Sequence, residues 1–211
     1  MNNYQKQVYR TQISNTTTII SSTVAIFNIS EPTYAGAKTN NNSDTVTSIG
    51  SENIGNAQIG GGTSYEMGRL LAIFDTSSIT SNPISGTFSI YVTSNPVITP
   101  LTFRTITPNV TFLPLQVLTV ADWDSWNGSH DNSGTAQDSL VIPATTSGFF
   151  TFTLSLPQLI AINSNNEFSV FVVSNGDFTD TPPSTNSRPF FSAQSGLGIS
   201  GIGDYKLTLN F

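Results

Sequence analysis

The chain of 211 residues carries 7 Lys+Arg against 13 Asp+Glu, a formal net charge of −6, and only 9% of its residues are charged, where about a quarter is usual. Ser, Thr and Asn, roughly a third of the residues, supply the polarity instead; the scattered cations offer no footprint for a phosphate backbone or an anionic membrane surface. No cysteine and a single histidine, His130, remove disulfides, thiol nucleophiles and thiolate metal sites, and leave a Ser-His-Asp triad or a multi-histidine metal centre almost without material.

The opening residues, Met1 to Arg10, lack the apolar core of a secretory signal, and no apolar run is long enough to span a bilayer as a helix. Residues 1–16 show little periodicity and read as an N-terminal arm that orders on a partner; residues 17–211 read as one domain. Along that domain the dominant period is two. Weak strand candidates lie at about 17–28, 44–49 and 56–59. Gly36 to Ser43 and Ser51 to Tyr65, with Gly60-Gly61-Gly62, read as loops. The triple glycine lacks the Lys-Ser/Thr pair and following helix of a phosphate loop.

Leu70-Leu71-Ala72-Ile73-Phe74 is apolar at every position, which predicts a central strand covered on both faces. Phe88, Ile90 and Val92 alternate with polar neighbours over 87–92. Weaker strands follow at 101–106, 110–118, 138–142 and 189–193. Phe150, Phe152 and Leu154 share one face of the next segment. Leu156 to Ile162 reads as a short helix, with Pro157 tolerated in its first turn. Phe168, Val170 and Val172 then point inward with Phe171 left over. Phe178 to Arg188 reads as a loop. At the end Tyr205, Leu207, Leu209 and Phe211 oppose Lys206, Thr208 and Asn210. About ten strands with turn-rich spacers predict an all-β fold: a two-sheet antiparallel β-sandwich of jelly-roll topology with at most one short helix.

Chemistry-bearing residues concentrate at Asp122-Trp123-Asp124-Ser125-Trp126-Asn127-Gly128-Ser129-His130-Asp131. Hard cations want several oxygen ligands, so Asp122, Asp124 and Asp131 are candidate ligands of a structural calcium; no other cofactor is called for. Trp123, Trp126 and Asn127 are candidates for stacking on and hydrogen bonding to a sugar. The spacing departs from an EF-hand loop, and the plainer reading is a surface loop whose tryptophans cover a sheet end. No catalytic residue is identifiable: His130 has no nucleophile beside it. Glu66, Asp75 and Glu167 form a carboxylate pair only if the fold sets two of them at the separation that glycoside hydrolysis needs.

Arg69-Leu70-Leu71-Ala72-Ile73-Phe74-Asp75-Thr76-Ser77-Ser78-Ile79, followed by Gly86-Thr87-Phe88-Ser89-Ile90-Tyr91-Val92, resembles the DNRLRE-type, carbohydrate-binding-module-like jelly rolls. Gly148 to Leu154, Phe190 to Ala193 and Tyr205 to Leu209 are similar to the later strands of that group, so the likeness spans about 44–211. It departs where the group's threonine–tryptophan motif would stand, near Asp122 to Trp126. The resemblance implies a non-enzymatic structural or adhesion protein on the surface of a tailed-phage virion, as capsid decoration or fibre component, with weak glycan binding. The implied partners are capsid or tail proteins and host or environmental glycans, with neither nucleic acid nor membrane insertion, and the setting admits a homotrimer. The alternative it implies is a secreted or cell-surface carbohydrate-binding module.

Overall fold

A strand that is apolar at every position needs cover on both sides, and Leu70 to Phe74 obtains it: all five residues are fully buried. They belong to β5 (Ser64–Asp75), the spine of a two-layer sandwich. The computed structural model describes residues 15–40, 43–47, 50–59, 64–94, 101–106, 108, 111–113, 117–124, 138–143, 148–183, 190–195 and 205–211. Among them are twelve strands, every pairing antiparallel.

One layer holds five strands in the order β2 (Thr23–Glu31), β5, β10 (Glu167–Ser174), β7 (Leu101–Ile106) and β8 (Asp138–Ile142), with the short β3 (Thr45–Thr47) on the free side of β2. The other holds four: β1 (Thr16–Ile20), β12 (Lys206–Asn210), β6 (Ser85–Ser94) and β9 (Gly148–Thr153). Two strands tie the layers together. β4 (Gly50–Ile59) pairs with the first half of β5 and with β11 (Phe190–Ser195), which shifts register at Ser192/Ala193 and reaches β6.

The inward faces are the alternating ones. Phe88, Ile90, Val92, Phe152, Leu207 and Leu209 from the four-stranded layer meet Val24, Leu70, Phe74, Phe168, Val170 and Val172 from the other. Phe88 sits amid the rings of Phe74, Phe152 and Tyr205, with centroids 5.8, 6.0 and 6.4 Å away. Each such side chain contributes about 1.5–3 kcal/mol by leaving water. The small residue at Gly86 has a packing reason: it faces inward, and a Cβ there would lie 2.9 Å from Leu209 Cδ2 and 3.0 Å from Leu154 Cδ1.

The five-stranded layer has a second core on its outer face. Ala25, Phe27, Leu71, Ile73, Phe171 and Val173 are buried there under Tyr34, Ala37 and Phe112. Phe171, left over from its own strand's alternation, packs against Phe27 with the rings tilted at 43° and their centroids 6.2 Å apart.

Several local expectations change. Part of the loop expected over Gly36–Ser43 is α1 (Tyr34–Thr39), opened by Thr33, whose Oγ1 accepts from the Gly36 N–H at 3.0 Å. The Leu156 helix is α2 (Leu156–Ser164), with the Ser155 N–H donating to Gln158 Oε1 at 2.9 Å. A third helix, α3 (Asn175–Phe178), follows β10 directly. The expected maximum of one helix is thus exceeded, because four to six residues are too few to impose a 3.6-residue period.

Much of the loop expected over Ser51–Tyr65 is strand. β4 carries only Ile54, Ala57 and Ile59 among polar residues and glycines, too few to mark a period of two, and its main chain pairs with two neighbours. The 17–28 segment is two strands, β1 and β2, parted at Ser21-Ser22. Of the strand expected at 110–118, the described residues have no regular structure; Phe112 instead plugs the second core.

Candidate functional site

The four-stranded layer turns one face to the core and leaves the other open. Because side chains alternate across the sheet, the residues between the inward phenylalanines form that open face. Their registers align into rows. Thr16, Asn210 and Ser85 make one row; Thr18, Thr208, Thr87 and Thr153 make the next, one threonine from each strand. Lys206, Ser89 and Thr151 follow, and then Tyr91 opposite Phe149.

Hydrogen bonds run along the rows. Thr16 Oγ1 donates to Asn210 Oδ1 at 2.9 Å, Asn210 Nδ2 donates to Ser85 Oγ at 3.0 Å, and the Ser89 and Thr151 hydroxyls lie 2.9 Å apart. At one end the rings of Tyr91 and Phe149 meet edge to face at 5.0 Å, and Lys206 Nζ lies 5.0 Å from the centroid of Phe149. Phe149 stays 46% exposed. An outward phenylalanine beside a tyrosine and an ammonium, on a plain of hydroxyls, can stack a ring, pair an anion and exchange hydrogen bonds.

The described start of the Trp/Asp segment, Asp122 to Asp124, lies on the other layer's side. Val120–Asp124 is a 3-10 turn tied to the residue pair before β3 by the Ser43 N–H donating to the Val120 carbonyl at 3.0 Å. Asp122 is half-buried, and its Oδ2 accepts from the Thr119 N–H at 2.7 Å and from Thr119 Oγ1 at 3.1 Å, so that oxygen holds the turn. Trp123 and Asp124 contribute backbone to the same turn, with side chains outside the described residues. Trp126, Asn127, His130 and Asp131 lie outside the described residues altogether. Among the described residues no group of three or more His, Cys, Asp or Glu could hold a metal ion.

The carboxylates at the strand ends are sorted by register. Glu167 stands directly opposite Asp75, whereas Glu66 faces Ser30 and Ala57 at the far end of β5. Asp75 is exposed and shapes the turn, accepting from the Ser77 N–H at 3.0 Å, and hydrogen bonds from the Ser77 side chain and backbone hold its pKa below the usual range. Glu167 is buried and accepts from Ser169 Oγ at 3.0 Å; burial pushes its carboxyl up, against the hydrogen bonds from Ser169 and the Phe112 backbone.

The residues missed by sequence reasoning are a buried ionic cluster on the second core. Arg69 on β5 is fully buried and grips Asp177 of α3 with two nitrogens, Nε to Oδ2 at 2.8 Å and Nη2 to Oδ1 at 3.1 Å. Lys38 of α1 donates to Asp177 Oδ1 at 3.0 Å and to its main-chain carbonyl. Ser174 Oγ accepts from the Asp177 N–H at 3.1 Å, and the Tyr34 hydroxyl donates to the Gly176 carbonyl at 3.1 Å. Burial raises the Asp177 pKa, but the charges and hydrogen bonds of Arg69 and then Lys38 outweigh it, leaving the carboxyl below its ordinary value. The cluster pins both covering helices to the spine strand. Its one sequence signal is an arginine at the head of an apolar run, which demands a buried partner without naming one. Compared with known proteins, the chain matches no family model and no curated sequence.

Proposed function

We propose that the protein is a non-enzymatic surface component of a tailed-phage virion, a jelly roll that decorates the capsid or forms part of a fibre, holding an attachment face outward. The resemblance across Arg69–Ile79 and Gly86–Val92 supports the setting. The observation that carries the holding role is the open face of the four-stranded layer, whose registered hydroxyl rows end in Tyr91 and Phe149. Weak contacts spread over such a face gain strength by repetition on a symmetric particle. The N-terminal arm supplies the docking element.

That arm is bounded by the fold. Thr16 already pairs with Asn210, and Val24 to Phe27 are buried in the sandwich. A docking arm therefore ends before Asn15. The experiment is reconstitution on purified particles with full-length protein and with residues 2–14 deleted, each first shown to be folded by its melting transition. Saturable binding that the deletion abolishes is expected. Equal binding by both proteins would overturn the arm, and no binding by either would overturn the virion reading. The same face suits the alternative, a secreted carbohydrate-binding module; such a module would bind glycan but not particles.

A further inference from the structure

We infer that the protein pairs with a second copy of itself through β1, edge to edge, so that two four-stranded layers join into one antiparallel sheet. The inference concerns how copies meet and goes beyond the proposed function. β1 borders its layer: it pairs with β12 on one side, and among the described residues no strand lies on the other. At its two ends the Phe211 N–H donates to the Asn15 carbonyl and the Ser21 N–H to the Tyr205 carbonyl, both at 3.0 Å. Antiparallel pairing turns alternate residues toward the neighbour, so Asn15, Thr17, Ile19 and Ser21 face β12. Thr16, Thr18 and Ile20 then aim their N–H and C=O groups away from it.

Such a row of main-chain donors and acceptors is a template for another strand, and native edges are ordinarily guarded by charge, proline or a bulge. β1, Thr-Thr-Thr-Ile-Ile, has neither charge nor proline and pairs with β12 in unbroken register. Its outward residues are spaced evenly about Thr18. A twofold axis at Thr18 therefore sets Thr18 opposite Thr18 and Thr16 opposite Ile20, and every outward N–H meets an outward C=O.

That symmetry is what selects a second copy as the occupant. Thr18 shares its row with Thr208, Thr87 and Thr153, so the threonine row runs through the axis into the same row of the other copy, and both open faces point the same way. Charge does not oppose the pairing. Lys206 is the only charged residue on the four strands, and it stands opposite Ile20. Strand spacing and rise then put the two lysines roughly 20 Å apart, beyond the ~8 Å over which exposed charges act at physiological salt. Two short edges make a small interface, so the dimer is weak and concentration-dependent.

Thr18→Cys is the direct test. Opposite residues of a hydrogen-bonded pair have Cα atoms about 5.5 Å apart, within disulfide reach, and the natural chain has no cysteine. Mild oxidation is expected to link Thr18→Cys protein into a covalent dimer. It should leave Thr16→Cys protein unlinked, because the two copies of that position stand about 14 Å apart. Sedimentation of the unaltered chain is expected to show a dimer that grows with concentration. Thr18→Pro removes only an outward N–H, a change that an edge strand tolerates. It should weaken the dimer about tenfold or more, through the two hydrogen bonds lost across the axis, while the melting transition shows the fold intact. Thr18→Lys should weaken it in low salt and recover part of the loss in high salt. A monomer up to about 1 mM, where even a weak pair forms, overturns the inference. So does equal crosslinking of the two cysteine variants, or a dimer that Thr18→Pro leaves untouched. Dimerisation of the 2–14 deletion but not of the full chain overturns it in favour of the arm as the strand that covers the edge. Loss of particle binding bears on the proposed function instead.

Discussion

Arg69 and Asp177 are 108 residues apart in the chain and are joined by two hydrogen bonds, of 2.8 and 3.1 Å, in a place that water does not reach. The paired geometry matters more than the charge product. Desolvating a guanidinium and a carboxylate costs several kcal/mol each, and only well-directed hydrogen bonds offset that cost. Lys38 adds a second cation to the same carboxylate, so Asp177 is where α1, α3 and β5 meet.

Removing the carboxylate would leave two buried cations without it. Asp177→Ala is expected to lower unfolding free energy by about 3–5 kcal/mol in urea titrations, while Arg69→Met combined with Asp177→Leu costs less than the sum of the single changes. Additive losses would show that the two side chains do not act as a pair.

The pH dependence follows from the direction of two shifts. Asp177 has a depressed pKa in the fold, so its stabilisation is fully present above the unfolded value near 4 and is lost as pH falls through the folded value. Glu167 is raised, so its contribution is present below the unfolded value, about 4.3, and is lost as pH rises through the folded one. Melting temperature against pH is therefore expected to lose its steepest acid-side fall in Asp177→Asn. Glu167→Gln should instead remove a decline on the rising-pH side and raise the melting point at neutral pH. An unchanged profile in both variants would contradict the assignments.

Gly86 is a steric prediction. A methyl group there would press on Leu209 Cδ2, Leu154 Cδ1 and the Thr208 carbonyl at 2.9, 3.0 and 3.1 Å. Gly86→Ala is expected to cost about 1–3 kcal/mol through overpacking, although alanine replacing glycine in an unstrained strand is ordinarily favourable. A thermal melt that moves upward would refute it.

Two phenylalanines separate the faces of the four-stranded layer. Phe88 lies among three aromatic rings in the core, and Phe88→Ala is expected to cost about 3–5 kcal/mol. Phe149, outward on β9, should cost no more than about 1 kcal/mol when changed to alanine, since it gives up only the contacts to Tyr91 and Lys206. Chemical denaturation of the two variants side by side measures the contrast.

Much of the fold is legible in the chain because the pleat ties sequence position to sheet face. Tyr205, Leu207 and Leu209 had to share a side, as did Phe88, Ile90 and Val92, and a run apolar at every position, Leu70 to Phe74, had to be sandwiched. The same rule leaves Phe149 facing away from Phe150 and Phe152. The candidate site is legible only in pieces. That Phe149 meets Tyr91 and Lys206, that four threonines fall in one row, and that Arg69 finds Asp177 are consequences of register between strands and of helix placement on a sheet. Those depend on contacts between distant residues, which no local period encodes. The short α1 and the irregular plug at Phe112 escape for a related reason: both exist to cover a sheet face, and the face to be covered is assembled only when the whole chain folds.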